Sequence, residues 1–154
     1  MDSSAEFVIQ GEELLALVRE QLAQGRKVRY LPFQGVSMLP MLRQGKDSVE
    51  LSPLPERLKK YDLPVYQYPS GKVVMHRVVA VREKDYLCLG DNTSVYETVT
   101  HDQMIGVVSA FRRGEKRIEA DALSYRLYSR VWCVLFPVRK FMYRAYHWLR
   151  RRLK

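Results

Sequence analysis

Cysteine is nearly absent: Cys88 and Cys133 are the only two in 154 residues. Neither belongs to a CxxC pair or a Cys/His ligand spacing, so the sequence offers no disulfide framework and no structural zinc site, and a reducing compartment suits it. Histidine is almost as scarce, and any imidazole chemistry must use His76, His101 or His147. Long hydrophobic runs are missing too. The longest unbroken one, "VWCVLFPV" at 131 to 138, falls far short of the ~20 residues that span a bilayer. The start, "MDSSAEFVIQGEELL", has neither the basic region nor the apolar core of a secretory signal. Carboxylates vanish from the end of the chain. Residues 124 to 154 hold nine Lys+Arg and no Asp or Glu, leaving 17 basic against 17 acidic residues in 1 to 123. The net charge of +9 is therefore a property of the tail, and charge segregated in this way faces an anionic partner.

What is present describes an ordinary globular chain, 47% hydrophobic and 28% charged, long enough to bury one core. In "GEELLALVREQLAQ", residues 11 to 24, Leu14, Leu15, Val18 and Leu22 form one stripe. Glu12 and Glu13 sit in the first turn and Gly25 just past the end, so a helix is expected. Short β-rich runs follow: "KVRYLPF", "SVEL", "VYQY", "KVVMHRVVAV", "YLCLG", "MIGVVSAF" and "KRIE". The run at 72 to 81 is the clearest strand, and "REKD" should link it to "YLCL" as a hairpin. The tail returns to helical spacing, with a stripe of Leu123, Leu127, Val131, Val134 and Leu135, a break or kink at Pro137, and a second stripe of Val138, Phe141, Met142, Ala145 and Leu149. The expected architecture is mainly β, α+β overall. It comprises an N-terminal amphipathic helix in 1–26, a β-rich body in 27–120 and a basic helical segment in 121–154, together forming one domain.

Three stretches could carry chemistry. "FQGVSMLPML", residues 33 to 42, sets a single hydroxyl, Ser37, in an apolar, turn-prone segment. His76 shares a strand face with Val74 and Val78. "LGDNTSVYETV", residues 89 to 99, places Asp91 and Glu97 after a strand end. Taken singly these read as a loop serine, a packed core histidine and a hairpin turn with a capping aspartate. Serine becomes a nucleophile only when a base takes its proton and a third group orients that base.

Read in order, "GVSMLP", "MHRVV" and "GDN" with an acid six residues after its aspartate resemble the signal peptidase I family, part of a superfamily with the LexA-like self-cleaving repressors. The likeness covers roughly residues 28 to 112, including "MIGVV". Where the usual bacterial members have a lysine before the arginine, this chain has His76-Arg77, as in the endoplasmic reticulum and archaeal type. The resemblance implies a signal peptidase/LexA-like β-body and a serine endopeptidase that cleaves a leader- or signal-like peptide without cofactor or metal. Ser37 would be its nucleophile, His76 its general base, Glu97 the acid orienting His76, and Asp91 the turn aspartate. It also implies the Ser37 N–H as oxyanion donor, a presenting turn fixed by Gly35 and Pro40, and Met38 and Leu39 on a shallow apolar rim. Glutamate replaces the histidine-type enzymes' aspartate at 97, and Gly35 replaces the serine that some bacterial members carry there. An amphipathic helix stands where the family has a membrane anchor. An alternative expectation is an inactive or self-cleaving relative acting as a peptide- or membrane-binding module.

The tail suggests its own partner. Eight aromatics among nine cations favour a membrane interface over a specific nucleic acid. Arg139, Lys140, Arg144, Arg150, Arg151 and Arg152 should attract anionic lipid, with Trp132, Phe141 and Trp148 as anchors. The resulting expectation is a cytoplasmic protein held peripherally on the membrane, or free in the cytoplasm if the tail merely packs on its own body.

Overall fold

The computed structural model describes residues 12–32 and 34–152. Its first element is α1 (Glu12–Ala23), with Glu12 and Glu13 in its first turn, where carboxylates oppose the positive end of the helix dipole. Gly25 terminates it at φ 75°, a backbone that a side chain would strain. The Gly25 and Arg26 N–H groups close the last carbonyls, of Leu22 at 3.0 Å and Gln21 at 3.0 Å. Val18 and Leu22 are buried, but Leu14 is exposed, so the docked stripe is narrower than the spacing suggests. Each buried side chain contributes about 1.5–3 kcal/mol. Leu22 Cδ1 lies 2.8 Å from where a Cβ on Gly106 would stand, so glycine lets the helix seat on the sheet.

The body is two antiparallel sheets built from β1 (Val28–Pro32), β2 (Asp47–Ser52), β3 (Pro64–Gln67), β4 (Val73–Met75), β5 (Arg77–Val81), β6 (Asp85–Leu89), β7 (Glu97–Thr100), β8 (Met104–Arg113) and β9 (Lys116–Glu119). The larger sheet runs β1-β2-β8-β3-β4, with β9 also on β8; the smaller runs β5-β6-β7. Long β8 is the spine of the larger sheet. One edge holds β2, and the other is shared by β3 near Gly106 and β9 near Phe111.

The run at 72 to 81 is not one strand. It breaks at His76, β4 pairing with β3 and β5 with β6 in the other sheet. His76 therefore stands at the crossing point between sheets. The expected hairpin of β5 and β6 is present, with Val78 opposite Cys88. Strand β7 was not expected. It pairs with β6 and sets Glu97 opposite Cys88. One core cluster unites Val18 and Leu22 with Met38, Met41, Leu42, Leu51 and Phe111; another lies around Leu58, Tyr66, Val78, Cys88 and Val99. The architecture is a mixed α/β fold in which helices at both ends flank a β-sheet core.

The tail forms α2 (Leu123–Val134) and α3 (Phe136–Arg152). Pro137 falls in the first turn of α3, where its missing N–H costs nothing. Both apolar stripes expected from the spacing face outward: Leu127, Val131, Val134, Val138 and Phe141 are exposed. The body-facing side of α2 is polar and aromatic instead, with Tyr125 and Ser129 buried. No helix among the described residues is long and apolar enough to cross a membrane.

Candidate active site

Ser37 lies in a turn between β1 and β2. Gly35 opens it at φ 107°, a left-handed region that favours glycine, and its N–H donates to Gln44 Oε1 at 2.9 Å. The Leu39 N–H reaches Val36 O at 3.1 Å, and the Leu42 N–H reaches Met38 O at 3.0 Å. Pro40 follows a cis peptide bond and is itself exposed. Met38 does not line an apolar rim. It is buried with Met41 and Leu42 in the main core, because the turn needs an apolar foot to stay fixed. Ser37 itself is buried at the surface layer, 9% exposed. Among the described residues its N–H enters no hydrogen bond.

The turn after β6 grips this loop. The Asn92 N–H donates to Ser37 O at 2.7 Å, and Asn92 Nδ2 donates to Val36 O at 3.2 Å. Gly90 lies between the serine turn and the imidazole. A Cβ there would stand 2.9 Å from Ser37 O, 3.0 Å from His76 Cδ2 and 2.8 Å from Thr93 Cγ2. The absence of a side chain is what lets the serine turn and the imidazole share this space.

His76 is 5% exposed. Its Nδ1 lies 2.8 Å from Glu97 Oε2 and 3.2 Å from the Tyr66 hydroxyl, which itself donates a short hydrogen bond to Glu97 Oε2. Burial alone would raise the Glu97 carboxyl. Its hydrogen bond and charge interaction with His76, helped by Tyr66 and Tyr68, outweigh that and hold it down at about 2. An ionised Glu97 only accepts, so Nδ1 carries the proton in this contact and Nε2 of a neutral ring is left with its lone pair. That Nε2 is buried and has no hydrogen-bond partner. Desolvation, with the Glu97 charge behind it, pushes the Tyr66 and Tyr68 phenols well above their ordinary range, so both remain protonated donors. Cys88, across from Glu97, is pushed up to about 12 by burial and by Glu97, which keeps its thiol unreactive.

Asp91 faces away from the imidazole. It takes a bidentate pair from Arg77, Nε to Oδ1 at 2.9 Å and Nη2 to Oδ2 at 2.7 Å. Arg77 is completely buried. Its Nη1 donates to the hydroxyls of Tyr125 at 2.8 Å and Ser129 at 2.9 Å, both on α2. Tyr128 Oη donates to Asp91 Oδ2 at 3.1 Å and Trp132 Nε1 to Asp91 O at 2.9 Å. Arg139 reaches the same carbonyl and stacks over Trp132, 4.0 Å from the ring centroid. Trp132 and Arg139, both expected at the membrane, are partly buried and make these contacts with the body. A cavity of about 340 Å³ beside this pair, lined by Arg77, Asp91, Tyr96 and Trp132, includes neither Ser37 nor His76.

Of the sequence-selected residues, the fold thus brings the Ser37 carbonyl and the His76 ring to Gly90, joins His76 to Glu97 through Nδ1, and turns Asp91 to Arg77. Among the other two histidines, His101 lies against Tyr86 Oη at 3.3 Å, and the His147 side chain is outside the described residues. Sequence reasoning missed Tyr66, Tyr68 and Asn92. The two tyrosines had a signal, since alternation in "VYQY" puts Tyr66 in β3 and Tyr68 just past its end on one face. Among the described residues no cluster of His, Cys, Asp and Glu could hold a metal ion. Comparison with family models, with curated proteins and with solved structures gives no match.

Proposed function

We propose that the chain is a serine endopeptidase, similar to signal peptidase I, acting on a leader- or signal-like segment of another polypeptide. The observation that carries this reading is the unpartnered, buried Nε2 of His76, on a ring whose other nitrogen is held by Glu97 and whose edge shares the Gly90 gap with the Ser37 turn. In the reaction, Ser37 Oγ attacks the scissile carbonyl carbon as its proton passes to His76 Nε2. Glu97 stabilises the imidazolium. The carbonyl oxygen becomes an oxyanion that the Ser37 N–H can meet. Collapse breaks the C–N bond, and Nε2–H protonates the leaving amine. A water then gives its proton to Nε2 and attacks the acyl-serine; the C–Oγ bond breaks to release the acid, and Nε2–H returns its proton to Ser37 Oγ.

One observation favours a second reading, a non-catalytic or self-cleaving relative that binds peptide or membrane. Because Nε2 has no partner, the Ser37–His76 hydrogen bond is not made in this structure, and a binding module requires no such bond. Catalytic contacts are often loose until substrate arrives, so activity is what separates the two. A fluorescent phosphonate probe should label the intact protein at Ser37, with the adduct located by peptide mass spectrometry. Labelling should disappear in Ser37→Ala and in His76→Ala, with the native circular dichroism spectrum of each variant showing that the fold is retained. Labelling that survives both changes, or its absence from the wild type, sinks the peptidase reading. Loss of intact mass on storage, abolished by Ser37→Ala, would instead mark self-cleavage. The two free thiols, Cys88 and Cys133, support a reducing, cytoplasmic place of work.

A further inference from the structure

Helices α2 and α3 are amphipathic the wrong way round for a packed surface helix. On α2 the buried side is Tyr125 and Ser129, while Leu123, Leu127, Val131 and Val134 point out. On α3 the outward row is Val138, Phe141, Met142 and Leu149, and Val134 and Phe141 are 73% and 72% exposed. An apolar row continuing across two helices is a docking surface rather than scattered surface hydrophobics. We infer that its partner is an anionic phospholipid membrane, and that the groove beside it receives the headgroup phosphates. Charge selects this partner. Residues 123 to 154 contain no carboxylate and nine cations, so a second copy of the chain would press like charge on like. A nucleic acid would meet the cations but offers no acyl layer for the aliphatic row.

The groove has a volume of about 960 Å³, with Lys140, Arg144, Trp148 and Arg151 on one wall and the turn residues Asn92, Thr93 and Ser94 on the other. Arg152 lies over the Trp148 ring, 4.2 Å from its centroid. A headgroup held there touches the turn whose Asn92 N–H grips Ser37 O. Arg150 was also expected to bind lipid, but its side chain is outside the described residues. Lipid binding is measured without turnover, so it stands or falls separately from the peptidase reading.

The test is sedimentation of the full chain with phosphatidylcholine vesicles, with and without phosphatidylglycerol. Binding should require the anionic lipid and weaken with salt. Val134→Asp with Phe141→Asp, and separately Lys140→Glu with Arg144→Glu, should each weaken it about tenfold or more. All four side chains are exposed, so the circular dichroism spectrum and melting temperature should not move. A vesicle-induced blue shift of tryptophan emission should be lost in Trp148→Phe, since Trp132 is docked against the body. Equal binding to both vesicle types, or none to either, overturns the inference. So does size-exclusion chromatography in which the Val134/Phe141 variant turns a dimer into a monomer, because the row would then be a self-association face.

Discussion

His76 and Arg77 are neighbours in the chain, and each meets a carboxylate from the segment that follows β6. Arg77 is fully satisfied: two bonds to Asp91, two to hydroxyls of α2, a sulfur contact to Met41 and a carbonyl contact to Tyr61. Burial pulls its pKa down, but the Asp91 charge and Tyr125 more than reverse this and raise it, so the guanidinium never titrates. His76 has one nitrogen held and the other open. A buried cation with every donor used is cement. A buried ring with one bare nitrogen is a place where a proton can be put. The strand break at 76 separates the two by turning successive side chains toward different sheets and different partners.

The contrast can be broken at either pair. His76→Ala has the largest expected effect: under the proposed mechanism hydrolysis should fall by about 10⁶, and the denaturation midpoint should drop as well, because Glu97 loses the partner that favours its charged form. Glu97→Gln should come next, lowering kcat by about 10²–10⁴ by disturbing the tautomer, while Glu97→Asp recovers part of it. Arg77→Met should act the other way, costing about 3–5 kcal/mol because Asp91 is left buried and unpaired. Urea unfolding measures that loss, and an Arg77→Met protein of wild-type stability would mean that the pair is not cement. Gly90→Ala should cost about 1–3 kcal/mol from overpacking and depress turnover more than stability, since the added methyl separates Ser37 from His76.

The smallest effect is in acid stability. The Glu97 carboxyl sits at about 2 against an ordinary 4.5. Its contribution is therefore fully present above pH 4.5 and is lost as pH falls from there toward 2. Thermal melts across that window should show a drop that is shallower in Glu97→Gln. Identical profiles would mean that the His76–Glu97 contact adds nothing to the folded state.

Much of this organisation was legible in the residues. Helix α1 and its stop came from Glu12, Glu13 and Gly25, and the β5–β6 hairpin from its apolar runs around "REKD". Local spacing cannot see a change of partner, so 72 to 81 read as one strand although His76 leaves one sheet for the other. Nor does "ETVT", one valine among polar residues, announce β7, which forms because β6 offers it an edge. In the tail, periodicity correctly grouped Leu127 with Val131 but could not say which face is inside. The Arg77–Asp91 pair drew the polar face of α2 inward, and with it Trp132 and Arg139. Ser37, His76 and Glu97 were selected as candidates through ordered motifs; Tyr66 and Asn92, which touch Glu97 and the Ser37 carbonyl, belong to pairings across 31 and 55 residues of chain.

The docking of α2 also decides where this molecule can come apart. Tyr125 and Ser129 supply hydroxyls to a guanidinium with no access to water, so α2 cannot lift off without stripping Arg77 of its solvation. The boundary near residue 120 is thus a seam in composition rather than in cooperativity. In hydrogen exchange, the middle of α2 should open only with the β body, while the far end of α3 frays independently. A protease should nick the C-terminal turns of α3 long before it finds the link between β9 and α2.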